Sequence, residues 1–262
     1  MNVVNIGMTQ VKCTRFKSLQ VANITLNGIL GDREFIILDR HGAPLSSGKH
    51  SLFLSLEVDY RAHDETMTIH WPDGKKTSGK CELNNHVQVL DYMGMRNIQV
   101  KTVAGNWSQL LSEYSKKQVT IVKVVHAGDG IDVLPLTFYT TASLKYLSQC
   151  MNQEVDGRRF RANLVIDADV PHIEDQWNGK LLSIGETIIK VRSSVPRCVV
   201  TQLNPVTGKN DLRTIPTLMG YREKVHLPDG LMPDYATPGF ASYAEVIQAG
   251  KISVGDSVTL LR

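Results

Sequence analysis

Short segments in which apolar and polar residues alternate dominate the chain, and this pattern predicts β-strands. Many of them end at turn-forming residues, as at Asp39-Arg40-His41-Gly42 and Pro72-Asp73-Gly74-Lys75. The predicted strands lie at residues 34–38, 66–71, 86–90, 98–103, 119–125 and 164–166. So many short strands separated by turns are typical of a β-barrel or a sandwich.

Helical spacing of apolar residues is confined to a few segments. Residues 106–117 place their apolar side chains on one helical face, and residues 141–151 carry a narrower stripe with Thr141 as a candidate N-cap. Shorter helices are predicted at 212–221 and 242–249. The expected fold class is therefore α+β, with β-structure dominant.

The pattern changes along the chain near residues 105–117, where turn-rich strands give way to helices and further strands. We expect a smaller β-rich module over residues 1–104 and a second domain over residues 105–262. No Gly/Ser-rich or Pro-rich linker separates them, which predicts a shared interface. Residues 182–188 and 252–258 are similar and each predict a tight turn between strands, but two copies cannot form a repeat stack.

The composition is that of an ordinary soluble protein, with 42% hydrophobic and 21% charged residues among 262. A net charge of +3 gives little support for a nucleic-acid partner. No signal peptide begins the sequence, and no run of about 18 apolar residues predicts a membrane span. The four cysteines form no C-x-x-C pair, so we expect a cytoplasmic protein with free thiols. Motifs of P-loop enzymes, Rossmann dehydrogenases, standard hydrolases and H-E-x-x-H metalloenzymes are absent.

Cys198 is the residue with the most distinctive setting. It follows Pro196-Arg197 at the end of an apolar strand pattern and precedes the turn at 204–208. A thiolate is a nucleophile and a soft metal ligand, and a neighbouring guanidinium stabilises its negative charge. The alternative is a buried cysteine that acts as a small apolar side chain, and this segment alone leaves both open.

Basic residues form three groups, whose guanidinium and ammonium donors suit a phosphate or a carboxylate. The groups are Arg158, Arg159 and Arg161 just before Asn163; Lys12, Arg15 and Lys17 around Cys13; and the isolated Arg33. Each is also compatible with a solvated loop or with weak surface ion pairs. They indicate an anion site only if the fold brings them together.

Two loops combine a histidine with acidic residues. They contain His172, Glu174 and Asp175 in one case, and His126, Asp129 and Asp132 in the other. Such sets are compatible with a metal site, but neighbouring carboxylates are common in ordinary surface turns.

Several of these segments share their order and spacing with one known family. The matching segments are 160–166, 174–177, 184–185, 196–198, 204–208, Leu218, 221–222 and 252–256. They resemble the MOSC family, which is named for the molybdenum cofactor sulfurase C-terminal domain. Segments 11–12, 28–33 and 38–42 resemble, more loosely, the β-barrel module that precedes MOSC in amidoxime-reducing proteins and their bacterial relatives.

The resemblance implies a MOSC-type β-barrel with a few helices, preceded by a smaller β-rich module. It also implies a molybdenum–molybdopterin cofactor, whose metal is held by a pterin dithiolene and one protein cysteine. The implied chemistry does not depend on pyridoxal phosphate. Cys198 matches that cysteine and is the expected metal ligand and catalytic residue. The expected cofactor contacts are Lys12, Cys13, Arg33, Thr141, Arg161, Asn163 and Arg197. The sequence departs from the family pattern at Ala162, where a proline is usual, and at Cys13, where a serine is usual.

The function that the resemblance implies is the reduction of N-oxygenated small molecules. Electrons are expected from a separate flavin or iron–sulfur reductase, because no ferredoxin-like cysteine set follows Arg262. An alternative is a sulfur carrier or cofactor-handling protein with a persulfide on Cys198. A third is a site without turnover that binds a small anion.

Overall fold

The computed structural model describes residues 1–225 and 237–261, and most of its secondary structure is β. The strands of the first half are β1 (Val3–Met8), β2 (Lys17–Leu19), β3 (Val21–Thr25), β4 (Gly28–Ile29), β5 (Phe35–Asp39), β6 (Glu57–Arg61), β7 (Thr66–His70), β8 (Lys76–Lys80), β9 (Leu83–Tyr92) and β10 (Arg96–Val103). Those of the second half are β11 (Val119–Val124), β12 (Leu136–Thr140), β13 (Leu164–Ile166), β14 (Leu181–Ile184), β15 (Thr187–Pro196), β16 (Gly239–Gln248), β17 (Gly250–Ser253) and β18 (Val258–Leu260). The fold class is thus α+β and mainly β, as the sequence pattern predicts.

The helices are few and short. They are α1 (Trp107–Ser115), α2 (Thr141–Met151) and α3 (Thr214–Met219), with 3₁₀ turns at Ser51–Ser55, Gly157–Phe160, Ile173–Trp177 and Val199–Gln202. The predicted helices near α1, α2 and α3 are confirmed, although the side chain that caps α2 belongs to Thr140, which accepts from the amide of Ser143. None of the helices in the described ranges is long and apolar enough to cross a membrane.

The helix predicted at residues 242–249 is wrong, because these residues form most of β16. That strand lies between β15 and β12, and the residues from Gly239 to Ala244 are all buried. Burial on both faces removes the alternation that identifies a strand in sequence, and tertiary pairing decides the conformation instead.

The strands form four sheets. The largest has eight strands in the order β18-β14-β15-β16-β12-β13-β1-β2, and a second has the order β5-β11-β10-β9. Two three-stranded sheets have the orders β17-β3-β4 and β6-β7-β8. The turn at Gly185 joins the paired strands β14 and β15, whereas the similar turn at Gly255 connects β17 and β18, which lie in different sheets.

Strand pairing does not divide the chain at residues 104 and 105. The N-terminal strand β1 pairs with β13, and β3 pairs with β17, so the first thirty residues belong to the sheets of the C-terminal half. Conversely, β11 of the C-terminal half pairs with β5 and β10 of the N-terminal half. Trp107 and Leu111 of α1 are buried with Phe35 and Ile121 in one apolar core. The two halves therefore exchange elements, which places loops from both beside one another.

This exchange predicts how fragments of the chain behave. A fragment of residues 1–104 lacks β11 and β13, so β1 and β5 lose partners and the fragment should not unfold cooperatively. A fragment of residues 32–125 keeps β5 to β11, every strand of two of the sheets, and α1. It should unfold cooperatively in urea when followed by circular dichroism. Cooperative unfolding of the 1–104 fragment would contradict the observed pairing as the basis of stability.

Candidate functional site

A cavity of about 380 Å³ opens where the loops of the two halves meet, and Cys198 is part of its lining. Six other residues expected to contact the cofactor also line it: Lys12, Cys13, Arg33, Arg161, Asn163 and Arg197. The first three follow β1 or precede β5, whereas the others precede β13 or follow β15. Residues far apart in sequence are thus brought together by the pairing of β1 with β13 and by the long β15–β16 ladder.

Cys198 is exposed at this cavity. It lies in extended conformation between the end of β15 and the 3₁₀ turn that begins at Val199, and its carbonyl accepts a hydrogen bond of 3.0 Å from Thr201 Oγ1. The alternative of a buried apolar cysteine is therefore wrong for this residue. The exposed thiol is available to a ligand, a metal or a reactant.

Arg197 is buried directly beside the exposed cysteine. Its Nε donates to Phe240 O at 2.6 Å and its Nη1 donates to Phe160 O at 3.1 Å, while the guanidinium lies over the Phe160 ring. Burial lowers the pKa of Arg197 to about 10, which still leaves it charged at neutral pH. Its Nη2 is buried and has no hydrogen-bond partner among the described residues.

Lys12 projects from the turn after β1 and is held by two partners. Its ammonium group forms an ion pair with Asp132 and donates to the hydroxyl of Tyr92. Burial alone would lower the pKa of Lys12, but the attraction of Asp132 and Tyr92 outweighs it and the pKa lies above its ordinary value. The Asp132 side chain is 54% exposed, so the carboxylate is only partly removed from water. Lys12 is therefore a fixed positive charge at the cavity.

Two arginines share an aromatic ring at the same cavity. The guanidinium carbons of Arg33 and Arg161 lie 5.3 and 5.1 Å from the centre of the Phe16 ring. Both residues have left-handed backbone conformations, with φ of 54° and 50°, as does Cys13 with φ of 74°. Such conformations cost energy in residues other than glycine and are common at functional sites. Burial, and then the charge of Arg33, lower the pKa of Arg161 to about 10.

The buried carboxylate of Asp32 links these loops to the sheet. It accepts hydrogen bonds from Thr9 N at 3.1 Å and from Asn163 Nδ2 at 2.9 Å, and it forms an ion pair with Arg33. Asn163 Oδ1 accepts from Thr137 N, and Asn163 Nδ2 also donates to Gly7 O. Because both amide hydrogens of Asn163 are bound within the chain, this residue supports the cavity wall and is not free to bind the edge of a pterin.

Thr141 and Cys13 differ from the expectation in other ways. Thr141 does not line the cavity; it is the first residue of α2, and its hydroxyl donates to Asp167 Oδ1 at 3.0 Å. Cys13 does line the cavity, but its buried Sγ donates to Leu45 O at 3.1 Å. Burial raises the pKa of the Cys13 thiol, so it stays protonated at neutral pH.

The cavity is also lined by Arg159, which the sequence indicates only as part of a basic group, and by two residues that the sequence does not indicate. Arg159 lies in the basic group before Asn163, and its buried guanidinium pairs with Asp211 at 2.7 Å while lining the cavity. Thr137 and Tyr243 line it from β12 and β16. Nothing in the local sequence marks either residue, because both reach the cavity through strand pairing.

The two loops with histidine and acidic residues form no metal centre. Glu174 is buried and accepts from Thr140 Oγ1 and Ser143 Oγ, and Asp175 pairs with Arg222 at 2.8 Å. Asp132 instead pairs with Lys12. Over residues 1–225 and 237–261, no three His, Cys, Asp or Glu side chains are grouped so that they could bind a metal ion by themselves.

The exposure of the four thiols leads to a chemical test. Cys150 and Cys198 are exposed, whereas Cys13 and Cys81 are buried, and burial raises the pKa of Cys81 to about 12. An aromatic disulfide reagent should therefore modify two thiols rapidly in the native chain and four after unfolding. The Cys198→Ser variant should show one rapid thiol, and the control Cys81→Ser should still show two. Slow modification of Cys198 would contradict its position at an open cavity.

The hydrogen bonds of Asn163 predict a loss of stability when they are removed. Replacing Asn163 by Ala leaves Asp32 and the amide of Thr137 with one partner fewer in a buried position, and should cost about 2 kcal/mol of unfolding free energy. The exposed Asn97 is the matched control, and its replacement by Ala should change stability by less than about 0.5 kcal/mol. Urea denaturation of both variants measures the difference. Equal stabilities would show that the Asp32 network does not support the fold.

Several known proteins are similar to this chain in sequence. A match to the MOSC domain covers residues 123–259. The mouse protein mitochondrial amidoxime-reducing component 1 is 33% identical over 131 residues, which cover 50% of this chain and 37% of that protein. The Caenorhabditis elegans molybdenum cofactor sulfurase is 33% identical over 236 residues, which cover 87% of this chain and 33% of that protein.

A third relative matches along almost the whole chain. The Xenopus laevis protein mitochondrial amidoxime-reducing component 1 is 30% identical over 279 aligned positions, which cover 95% of this chain and 78% of that protein. By contrast, the matched region spans little more than a third of the length of the mouse protein. The domain match over more than half of the sequence and this nearly full-length relative show that the chain belongs to the MOSC domain family.

Proposed function

We propose that this chain binds a molybdenum–pterin cofactor through Cys198 and reduces N-oxygenated small molecules. The observation that carries the proposal is that an exposed thiol and three fixed cations share one cavity. Cys198 lines it together with Lys12, Arg33 and Arg161. A soft sulfur donor suits molybdenum, and the cations suit the phosphate of a pterin cofactor.

The donor set of the cavity fits this cofactor in three respects. The thiol of Cys198 is exposed, so it can bind a metal without unfolding of its loop. Lys12, Arg33 and Arg161 line the same cavity and offer positive charge to a phosphate. The volume of about 380 Å³ is within the usual range for small-molecule sites.

The lining side chains would bind different parts of the cofactor. The bound cofactor would supply two-electron redox chemistry at its metal. Cys198 would hold the metal, and Lys12, Arg33 and Arg161 would bind the phosphate.

The overall reaction would convert an N-hydroxyl group and two protons, with two electrons, into the reduced nitrogen compound and water. The electrons would come from a separate flavin or iron–sulfur reductase. The names of the mouse and Xenopus relatives, which are amidoxime-reducing components, support this class of substrate.

A second function is favoured by the exposure of Cys198 and by the relative named molybdenum cofactor sulfurase. In this alternative, Cys198 carries a persulfide and passes sulfur to a cofactor, without redox turnover of a bound metal. The same cavity would then bind the recipient.

The metal content of the purified chain tests the first function against the second. Protein from a host that makes the cofactor should contain close to one molybdenum atom per chain and should reduce hydroxylamine or an amidoxime when a reductase is supplied. The Cys198→Ser variant should lose both the metal and the activity. Cys150 is also exposed but lies on α2 and does not line the cavity, so Cys150→Ser should keep both.

Two outcomes would contradict the proposal. A metal-free chain with a persulfide on Cys198, detected by mass spectrometry, supports sulfur transfer instead. Molybdenum retained in full by Cys198→Ser would show that another group holds the metal.

A further inference from the structure

Tyr243 lies at the cavity but has no role in the site as described so far. The residue lies in β16, is 7% exposed and lines the same cavity as Cys198. Its hydroxyl forms no hydrogen bond with any residue in the ranges 1–225 and 237–261. A buried phenol normally finds a partner, so an unused hydroxyl at a cavity indicates a site for a ligand.

The backbone around Tyr243 departs from regular sheet geometry. The pairing of β15 with β16 shifts register between Val191 and Ser193 and again between Ser194 and Pro196. Tyr243 pairs with Ser193, directly beside the first shift, and Ala241 two residues earlier has a left-handed φ of 70°. Irregularities of this kind redirect side chains and are frequent next to active sites.

The charges that surround the Tyr243 hydroxyl come from several elements. They belong to Arg197 after β15, to Asp132 before β12 and to Arg33 before β5, and the Cys198 thiol lies at the same cavity. Burial raises the pKa of Tyr243 well above its ordinary value, and the nearby Arg197 opposes this only in part. The hydroxyl is therefore neutral at physiological pH and has a proton to donate in a hydrogen bond.

We infer that Tyr243 binds the oxygen atom of the substrate's N-hydroxyl group, to which its hydroxyl donates a hydrogen bond. This inference rests on the proposed reductase function. The charged side chains of Lys12, Arg33 and Arg161 suit a phosphate. The neutral hydroxyl of Tyr243 suits the neutral N-hydroxyl oxygen of the substrate, which gains negative charge as the N–O bond breaks. That oxygen leaves as water, with both protons taken from solution and both electrons from the reductase. Tyr243 is thus a substrate-orienting residue that is not consumed.

A substrate and its product differ at the atom that Tyr243 would contact. An amidoxime carries the N-hydroxyl oxygen, whereas the corresponding amidine lacks it. Tyr243 should therefore favour binding of the amidoxime and have no effect on the amidine.

The test compares Tyr243→Phe with a matched control, Tyr139→Phe. Tyr139 is 5% exposed, belongs to the same apolar core and lies on the neighbouring strand β12, but it does not line the cavity. In the molybdenum-loaded enzyme, Tyr243→Phe should lower kcat/KM for an aromatic amidoxime by about 10² and leave the metal content unchanged. Calorimetric titration should show amidoxime affinity reduced about tenfold and amidine affinity unchanged. Tyr139→Phe should match the wild type in every measurement.

The outcomes separate this inference from the function on which it rests. A wild-type chain that holds no molybdenum and reduces no amidoxime would contradict both the proposed function and the role of Tyr243. An active wild type whose Tyr243→Phe variant behaves like Tyr139→Phe overturns the inference alone. Molybdenum lost from Tyr243→Phe but not from Tyr139→Phe would show that the hydroxyl holds the cofactor, which also overturns it.

Discussion

The buried carboxylate of Asp32 is the contact on which the arrangement of the cavity depends. Asp32 is 2% exposed and joins Thr9, Arg33 and Asn163, which come from three separate parts of the chain. A buried carboxylate is costly unless donors surround it, so these partners are held in fixed positions. The same contact places Arg33 beside Arg161, whose backbone carbonyl accepts from the Arg33 guanidinium.

This arrangement leaves an excess of positive charge at the cavity. Its cationic residues are Lys12, Arg33, Arg159, Arg161 and Arg197, and Asp132 is the one acidic residue among the described lining residues. The ring of Phe16 between two of the guanidinium groups reduces their repulsion without neutralising them. An anionic ligand would neutralise this excess positive charge. Cys198 lies at the same cavity and would hold a metal carried by that ligand.

Local features of the fold could be predicted from the sequence, whereas contacts over long distances could not. The extent of α2 follows from its apolar stripe, and the family resemblance identified Cys198 and Lys12 as cavity residues. The exchange of strands between the halves depends on pairings that leave no local pattern. For the same reason the sequence does not indicate Tyr243, because its strand is buried on both faces and its apolar pattern predicts a helix. Asn163 lines the cavity, but its amide group donates to Asp32 and to Gly7 O, which sequence alone does not show.

The central claim is that Cys198 and the cations of the cavity bind one phosphorylated cofactor together. A crystal structure of the chain purified from a host that makes the cofactor tests this claim most directly. The account predicts continuous electron density that begins at Cys198 Sγ and ends between Lys12, Arg33 and Arg161. Density for the cofactor elsewhere, or a Cys198 side chain turned away from a cavity that holds it, would contradict the account.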